Sequence, residues 1–151
     1  MAYIQLKDIR IAGIATAVPK QTINNKDLIA EFGEKRINRF IRTTGVLERR
    51  VASEYQTASD LGVAATEELF KKKGIDKKTI GALVFASHGP DYKRPATAHV
   101  IQKRLELSEQ CACFDISLGC SAFVYGIQIL GGLMQTSDIE KALLIVGDTN
   151  S

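Results

Sequence analysis

The chain has 151 residues and a formal net charge of +3, and 45% of its residues are hydrophobic and 25% charged. This length is sufficient for one globular domain with a buried core, and the composition is that of an ordinary folded protein. The charge is too small for a nucleic-acid-binding surface, and no apolar run approaches the roughly 20 residues of a membrane span. We therefore expect neither nucleic acid nor a membrane as a partner. The weak positive charge is compatible with an acidic partner or with a merely solvated surface.

The three cysteines, Cys111, Cys113 and Cys120, lie close together in otherwise apolar sequence. Their odd number, with nothing at the N-terminus that resembles a secretion signal, argues against a disulfide scaffold and predicts a reducing, cytoplasmic location. Cys111 and Cys113 alternate along a predicted strand, so we expect both to face one side and pack structurally, with redox or metal roles as alternatives. No metal-ligand spacing is present, so we predict no metal site.

The first third of the chain predicts short elements. Residues 9–18 (Ile9 to Val18) read as a strand. Residues 26–32 read as a short helix, which Asn24 or Asn25 can cap with its side chain. The charged stretch that follows contains Thr43-Thr44-Gly45, which predicts a turn before another extended piece.

From Thr57 onward, predicted helices and strands alternate. Thr57 and Asp60 predict a capping box at the start of a helix that ends at Gly74. The later elements are a strand at 80–86, a helix opened by Pro95, a strand at 111–117, a helix from Cys120 to about Gln135 and a strand at 142–147. This alternation predicts an α/β fold with a mostly parallel sheet and helices on both faces. We predict one domain over residues 1–151, with a cut edge at residues 150–151.

The segment around Cys120 is the strongest candidate for a functional site. A strand ends at Ser117, a short turn contains Gly119, and a helix begins at or next to Cys120. The free amides and the dipole of the helix start would stabilise a thiolate and an oxyanion, and the turn would present the sulfur at the carboxyl edge of the sheet. The alternative is an ordinary buried cysteine that packs as a small hydrophobe.

The predicted helix after Cys120 has no polar face. We therefore expect it to be buried all round between two layers, where it would be a rigid platform for a nucleophile. Gly126, Gly131 and Gly132 lower its helix propensity, which close packing against another element would explain.

The sequence FDISLGCSAFVYGIQ, which includes Cys120, resembles the active-site segment of β-ketoacyl-acyl-carrier-protein synthase III and its relatives. Other resembling stretches follow in the same order along the chain: IAGIATAVPKQTINNKDL, RTTGVLERRVASEYQTASDL, FASHGPDYKRPATAHVIQKRL and KALLIVGDT. The resemblance implies a thiolase-like fold of five layers, αβαβα, made of two similar halves. This chain would be the N-terminal half, and we expect a homodimer.

The resemblance also implies an acyltransferase of the decarboxylating condensing type, in fatty acid or related biosynthesis. Cys120 matches the acyl-accepting cysteine, which would take an acyl group as a thioester from coenzyme A or from acyl-carrier protein. Malonyl-acyl-carrier protein would then extend that thioester, and no covalently bound cofactor is implied. The family's assisting histidine and asparagine lie in the other half, so neither His88 nor His99 has that role and the isolated chain should be inactive.

Three alternatives to this function remain open. A relative could transfer the acyl group to an oxygen or nitrogen acceptor without condensation. A non-catalytic homologue could bind a carrier protein through its basic surface. A thiol redox protein could use Cys111 and Cys113.

The chain departs from the family near the predicted cofactor site. Arg39 stands where the family has a tryptophan that stacks on the adenine of coenzyme A, and Thr43 replaces a frequent arginine. Arg39, Arg42 and Thr44 are the predicted cofactor-binding residues, because they could still contact a phosphate. The missing aromatic ring favours a carrier-bound or a different donor over free acyl-coenzyme A. The alternative for Arg39 is a merely solvated side chain.

A second departure lies directly before Pro95. Arg94 stands where the family commonly has an apolar residue such as Phe, which reaches across the dimer to line the partner's acyl pocket. We predict Arg94 and Phe123 as substrate-binding residues. Because an unpaired arginine is costly in a pocket wall, we expect either a short or polar acyl group or an Arg94 side chain that turns to solvent.

Overall fold

The computed structural model describes residues 5–149. They fall into two compact units: residues 18–56 with residue 149 form the smaller unit, and residues 5–17 with 57–148 form the larger one. The single domain predicted over residues 1–151 stays a prediction. The predicted cut edge at residues 150–151 lies outside the described residues.

The smaller unit contains a two-stranded antiparallel sheet and helices between its strands. Its elements in chain order are β1 (Gln21–Asn24), a 3-10 helix (Asn25–Leu28), α1 (Ile29–Phe32), α2 (Glu34–Thr44) and β2 (Glu48–Val51). The short helix predicted at residues 26–32 is confirmed, although it is divided into a 3-10 part and an α part.

Two neighbouring asparagines organise the start of this helical region. Asn24 caps it, because its side-chain oxygen accepts a hydrogen bond of 2.9 Å from the amide of Lys26. Asn25 is buried, and its amide nitrogen donates to the carbonyl of Val46 at 2.9 Å. Nε of Arg49 donates to the Asn25 side-chain oxygen at 2.8 Å, so the buried amide is satisfied on both sides.

The larger unit alternates helices with strands, as predicted. Its elements are α3 (Ala58–Lys73), a 3-10 helix (Lys77–Thr79), β3 (Ala82–Ser87), α4 (Thr97–Arg104), β4 (Ala112–Ser117), α5 (Ala122–Gln135) and β5 (Ala142–Val146). The three strands form a parallel sheet in the order β4-β3-β5. The predicted strands and helices of this region are therefore confirmed, with small shifts at their ends.

The central strand β3 contributes side chains to two hydrophobic cores, because its successive side chains point to opposite faces of the sheet. Every residue of β3 is buried. Leu83 and Phe85 pack with residues of α3 and α4 on one face, and Val84 and Ala86 pack with residues of α5 on the other. The sheet consequently has helices on both faces, as the apolar run predicted.

The capping box at the start of α3 is confirmed. The Thr57 amide donates to Oδ2 of Asp60 at 2.9 Å, and the Asp60 amide donates to Oγ1 of Thr57 at 3.4 Å. Asp60 also forms an ion pair of 2.8 Å with Arg104 at the end of α4. The Thr57 amide, with help from Arg104, holds the pKa of the Asp60 carboxyl below its ordinary value.

Replacing Asp60 with asparagine should lower the free energy of unfolding by about 1 kcal/mol at pH 7, because the box and the ion pair both lose the carboxylate. A carboxyl whose pKa is lower in the folded state stabilises the fold above its unfolded pKa, near about pH 4, and loses that effect as the pH falls further. Urea unfolding at pH 7 and pH 3 checks this, with Asp138→Asn as the exposed control. An equal loss at both pH values would contradict the proposed charge dependence.

Helix α5 differs from the prediction that it is buried all round. Gly126 and Leu130 lie on its buried face, and a β-carbon at position 126 would lie 2.5 Å from Cδ1 of Leu144. Phe123, Val124 and Tyr125 are 48%, 56% and 52% exposed. Burial on all sides is not observed within residues 5–149: the sheet covers one face of α5 and Leu6 lies against Gly131, but the surface that carries residues 123–125 stays exposed. The glycine at position 126 does allow close packing, as predicted.

The strand predicted over residues 9–18 is also wrong as a paired strand. Residues 12–18 alternate between exposed and half-buried positions, as a strand does, but no strand within the described part of the chain hydrogen-bonds to them. Ile11 and Ile14 are consequently 60% and 72% exposed. The segment is not part of a β-sheet, because a β-strand requires ladder hydrogen bonds from a neighbouring strand.

Candidate active site

Cys120 lies in the tight turn that joins β4 to α5. The Ala122 amide donates to the Gly119 carbonyl at 2.9 Å, and α5 begins at Ala122 after Ser121. The Cys120 side chain is exposed, at the end of β4 where the sheet presents its carboxyl edge. The turn confirms the predicted strand-turn-helix arrangement, and the exposure is incompatible with a buried packing role for Cys120 in this chain.

Three strand ends meet at this edge of the sheet, because Ser87 of β3 is in register with Ser117 of β4, and β5 flanks β3 on its other side. Asp148, just after β5, accepts hydrogen bonds from Oγ of Ser87 at 2.7 Å and from the amide of His88 at 2.8 Å. A β-carbon at Gly119 would lie 2.9 Å from Nδ1 of His88. The imidazole of His88 therefore lies against the residue that precedes Cys120.

Ser87 and Asp148 were not predicted as site residues from the sequence. Both are polar residues at the end of apolar strands, which is the available signal for the carboxyl edge of a parallel sheet. Their hydrogen bond could not be predicted, because it depends on β3 and β5 being neighbours in the sheet, and the local sequence does not specify the order of the strands.

The loop between β3 and α4 carries Arg94 and is held at its end by a carboxylate from β4. Oδ2 and Oδ1 of Asp115 accept hydrogen bonds of 2.7 Å from the amides of Thr97 and Ala98, respectively. The amide of Tyr92 donates to Oγ1 of Thr97 at 3.2 Å. Arg94 is exposed within residues 5–149, and its role as a substrate-binding residue stays a prediction.

Phe123, the other predicted substrate-binding residue, is the second residue of α5 and is 48% exposed. It lies three residues after Cys120 along the chain. Its role as a substrate-binding residue stays a prediction.

The three predicted cofactor-binding residues lie near the end of α2 in the smaller unit. Arg39 and Arg42 are exposed, and no ion pair with either is formed within residues 5–149. Thr44 uses its hydroxyl locally, because Oγ1 donates to the Phe40 carbonyl at 2.8 Å and accepts from the Val46 amide at 3.2 Å. The two arginines are thus available to an anion, whereas Thr44 already has two partners.

Cys111 and Cys113 pack on one side, in the core that contains α3 and α4. Sγ of Cys113 donates to the carbonyl of Cys111 at 3.3 Å. The neighbouring Cys111 thiol, together with burial, raises the pKa of the Cys113 thiol. A thiol that resists ionisation is a poor nucleophile, so these contacts favour the packing role predicted for Cys113, and burial in the core favours it for Cys111.

The described residues contain neither a metal-ligand cluster nor a membrane-spanning helix. Within residues 5–149, no cluster of histidine, cysteine and carboxylate side chains has the arrangement of a metal site. No helix in the same part of the chain is long and apolar enough to cross a membrane.

Residues 35–151 match the family described as FAE1/Type III polyketide synthase-like protein. The β-ketoacyl-[acyl-carrier-protein] synthase III of Clostridium beijerinckii is 36% identical over 140 residues, which are 93% of this chain and 42% of that protein. The enzyme of the same name from Latilactobacillus sakei is 38% identical over 143 residues, or 94% of this chain and 42% of that protein.

Solved structures agree with these sequence relatives. The 3-oxoacyl-(acyl-carrier protein) synthase of Burkholderia xenovorans superposes with a TM-score of 0.85 at 35% identity, over 90% of this chain and 40% of that one. OleA of Xanthomonas campestris gives a TM-score of 0.85 at 25% identity, over 98% of this chain and 47% of that one. The predicted thiolase-like fold is confirmed.

The chain spans less than half the length of these relatives, 42% for each of the two bacterial synthases. The resemblance to β-ketoacyl-acyl-carrier-protein synthase III read from the sequence is nevertheless confirmed over most of the chain. This chain belongs to the FAE1/type III polyketide synthase-like family.

Proposed function

We propose that this chain supplies the nucleophile-bearing N-terminal half of a decarboxylating condensing acyltransferase in fatty acid or related biosynthesis. The observation that carries the proposal is the exposed Cys120 in the turn between β4 and α5, at the carboxyl edge of the sheet. The relatives named as β-ketoacyl-[acyl-carrier-protein] synthase III support this reaction class.

In the first step, the Cys120 sulfur attacks the carbonyl carbon of a donor thioester. The bond from that carbon to the donor sulfur breaks, and coenzyme A or carrier protein leaves as the free thiol. The amide of Cys120 makes no hydrogen bond within residues 5–149, so it can donate to the oxyanion. The Ala122 amide is less suited to this, because it already donates to the Gly119 carbonyl.

In the second step, malonyl-acyl-carrier protein loses carbon dioxide, and the resulting carbanion attacks the Cys120 thioester. The new carbon–carbon bond forms as the bond from carbon to Cys120 sulfur breaks, which regenerates the enzyme thiol. The histidine and asparagine that assist this step would come from the other half of the protein.

The donor would be recognised through its phosphate groups. Arg39 and Arg42 are exposed cations on one helix, and arginine is well suited to phosphate recognition. We propose that they contact a phosphate of coenzyme A or of the carrier's prosthetic arm, and that the carrier protein is the favoured donor because Arg39 is not an aromatic ring.

We further propose a cytoplasmic homodimer. The cysteines Cys111, Cys113 and Cys120 are all free, which suits a reducing compartment. The exposed apolar side chains of α5, among them Val124 and Tyr125, suit an assembly that covers them.

Competition between alkylation and acyl donor tests the proposed nucleophile. Iodoacetamide should modify Cys120 before Cys111 or Cys113, because only Cys120 is exposed. Preincubation of the full-length enzyme with acyl-carrier-protein or acyl-coenzyme A thioesters should protect Cys120 from that modification, as read by peptide mass spectrometry. Labelling of Cys120 that no donor thioester diminishes would refute the acyl-carrying role.

The exposed Arg94 gives a prediction about the acyl group. The amides at the start of α4 donate hydrogen bonds to the carboxylate of Asp115, and these bonds anchor the end of the loop that carries Arg94. If Arg94 lines the acyl pocket, Arg94→Phe in the full-length enzyme should shift kcat/KM by about tenfold or more from short, carboxylated or hydroxylated donors toward apolar ones.

Arg94→Lys is the matched control, because it keeps the positive charge and should keep the preference for polar donors. The measurement is kcat/KM across a panel of acyl donors for both variants. A donor profile that Arg94→Phe leaves unchanged rejects a pocket role for this residue.

A further inference from the structure

We propose that His88 is the proton-transfer partner of Cys120 in the acyl-loading step. This inference rests on the acyl-accepting role proposed for Cys120. It assigns to this half of the protein a base for the first step, separate from any residue that assists the second.

The placement of His88 comes from the register of the sheet. Ser87 and Ser117 are opposite each other in β3 and β4, so His88 follows β3 beside the turn that carries Cys120. The distance of 2.9 Å from Nδ1 of His88 to the position of a Gly119 β-carbon places the imidazole directly against that turn. Only a residue without a side chain leaves this space to the ring.

The backbone of His88 is fixed while its ring is not. Oδ1 of Asp148 accepts from the His88 amide at 2.8 Å and from Oγ of Ser87 at 2.7 Å, and the Gly89 amide donates to the same Oγ at 3.2 Å. The imidazole itself forms no hydrogen bond within residues 5–149 and is exposed. Its two nitrogens are therefore free to accept and return a proton.

The charged groups around His88 come from each neighbouring segment. Asp148 follows β5 and binds the His88 backbone, Cys120 lies on the turn after β4, and Asp91 lies on the same loop as His88. Asp91 is engaged elsewhere, because its Oδ2 accepts from the amide of Ser59 at 3.2 Å. Among these groups, the Cys120 thiol is the one that carries a proton to transfer, because the two aspartates are acceptors.

The step balances without a further reactant. The imidazole takes the proton from the Cys120 thiol as sulfur bonds to the donor's carbonyl carbon. When the tetrahedral intermediate collapses, the bond to the donor sulfur breaks and the imidazolium returns the proton to that leaving thiolate. Histidine suits this exchange because its ring nitrogens can both accept and donate a proton.

The experiment measures the alkylation rate of Cys120 by iodoacetamide at pH 6 and pH 9 in this chain, resolved by peptide mass spectrometry. His88→Gln removes the base, and His99→Gln is the matched control, because His99 is the other histidine of the chain and is exposed on α4. At pH 6, His88→Gln should react about tenfold more slowly than His99→Gln. At pH 9, where thiols ionise unaided, the two should agree.

Gly119→Ala provides a second variant with the histidine still present. A methyl group at this position displaces the imidazole, so Gly119→Ala should lower the rate at pH 6 and should add nothing to His88→Gln in the double variant. Circular dichroism verifies that each variant remains folded.

Equal rates for His88→Gln and His99→Gln at pH 6 would overturn the inference, as would an equal slowing of His88→Gln at both pH values, which would indicate altered access. Either result leaves Cys120 as a reactive nucleophile. Failure of the unaltered chain to label at Cys120 at either pH would instead refute the proposed function along with the inference.

Discussion

Replacement of Cys120 by alanine is expected to lower the rate of condensation by the full-length enzyme on the order of 10³-fold or more, because the acyl group then has no sulfur to which it can bind. Cys120 is the exposed cysteine of the three, and it lies at the edge of the sheet where ligands of open α/β folds bind. Cys120→Ser should also lose most activity, because an alcohol ionises far less readily than a thiol. Steady-state formation of the condensed product measures both variants.

The other two cysteines are the controls. Cys111→Ala and Cys113→Ala remove sulfur atoms from the core under α3 and α4, so they should lower stability while the remaining folded enzyme keeps its rate per active site. A Cys120→Ala enzyme that retains normal turnover, or a Cys113→Ala enzyme that loses all turnover while folded, would contradict the assignment of the nucleophile.

The second large effect concerns the core of the larger unit. Phe85 lies at the centre of the sheet, on the middle strand β3, and its exposed fraction is 0%. Truncation to alanine removes an aromatic ring that packs with residues of α3, α4 and β5, and it leaves a cavity that a central strand cannot collapse to fill. Phe85→Ala should therefore lower the free energy of unfolding by about 3–5 kcal/mol.

Tyr55→Ala is the matched control, because the Tyr55 ring is 86% exposed. Its substitution should change the free energy of unfolding by less than about 0.5 kcal/mol. Urea unfolding followed by circular dichroism measures both. A loss below about 1 kcal/mol for Phe85→Ala would show that the sheet is not the core of this unit.

The sequence predicted the larger unit well because its signals are local. The apolar run that became β3 is typical of a strand covered on both faces, and Thr57 with Asp60 marked the start of α3. Helix α2 was missed, although Ile37, Phe40 and Ile41 repeat at helical spacing within the charged stretch. Only a turn and a further extended piece were predicted in that stretch, yet charged residues favour the exposed face of a helix.

Two errors had non-local causes. The segment from Ile9 to Val18 has the apolar character of a strand, but pairing depends on a neighbour that its own sequence cannot specify. The apolar circumference of α5 was interpreted as burial on all sides, whereas the sheet covers only the side of Gly126 and Leu130. In both cases the sequence pattern shows that a surface is apolar, but it does not show which element packs against that surface.

The candidate site likewise has one part that local sequence predicts and another that depends on long-range contacts. The turn that carries Cys120 was predictable, because strand, glycine and helix follow one another in the chain. The contacts of Asp148 with Ser87 and His88, and of Asp115 with the start of α4, join residues that are far apart in sequence. They became visible only once the strand order and register were known.

The most direct test of Cys120 as the acyl-accepting residue is mass spectrometry of the full-length enzyme after exposure to an acyl-carrier-protein or acyl-coenzyme A donor. We predict a mass increase of one acyl group, located on the peptide that contains Cys120 and removed by neutral hydroxylamine, as a thioester requires. An acyl group found on another residue, or no acylated enzyme with any donor that supports turnover, would contradict the account.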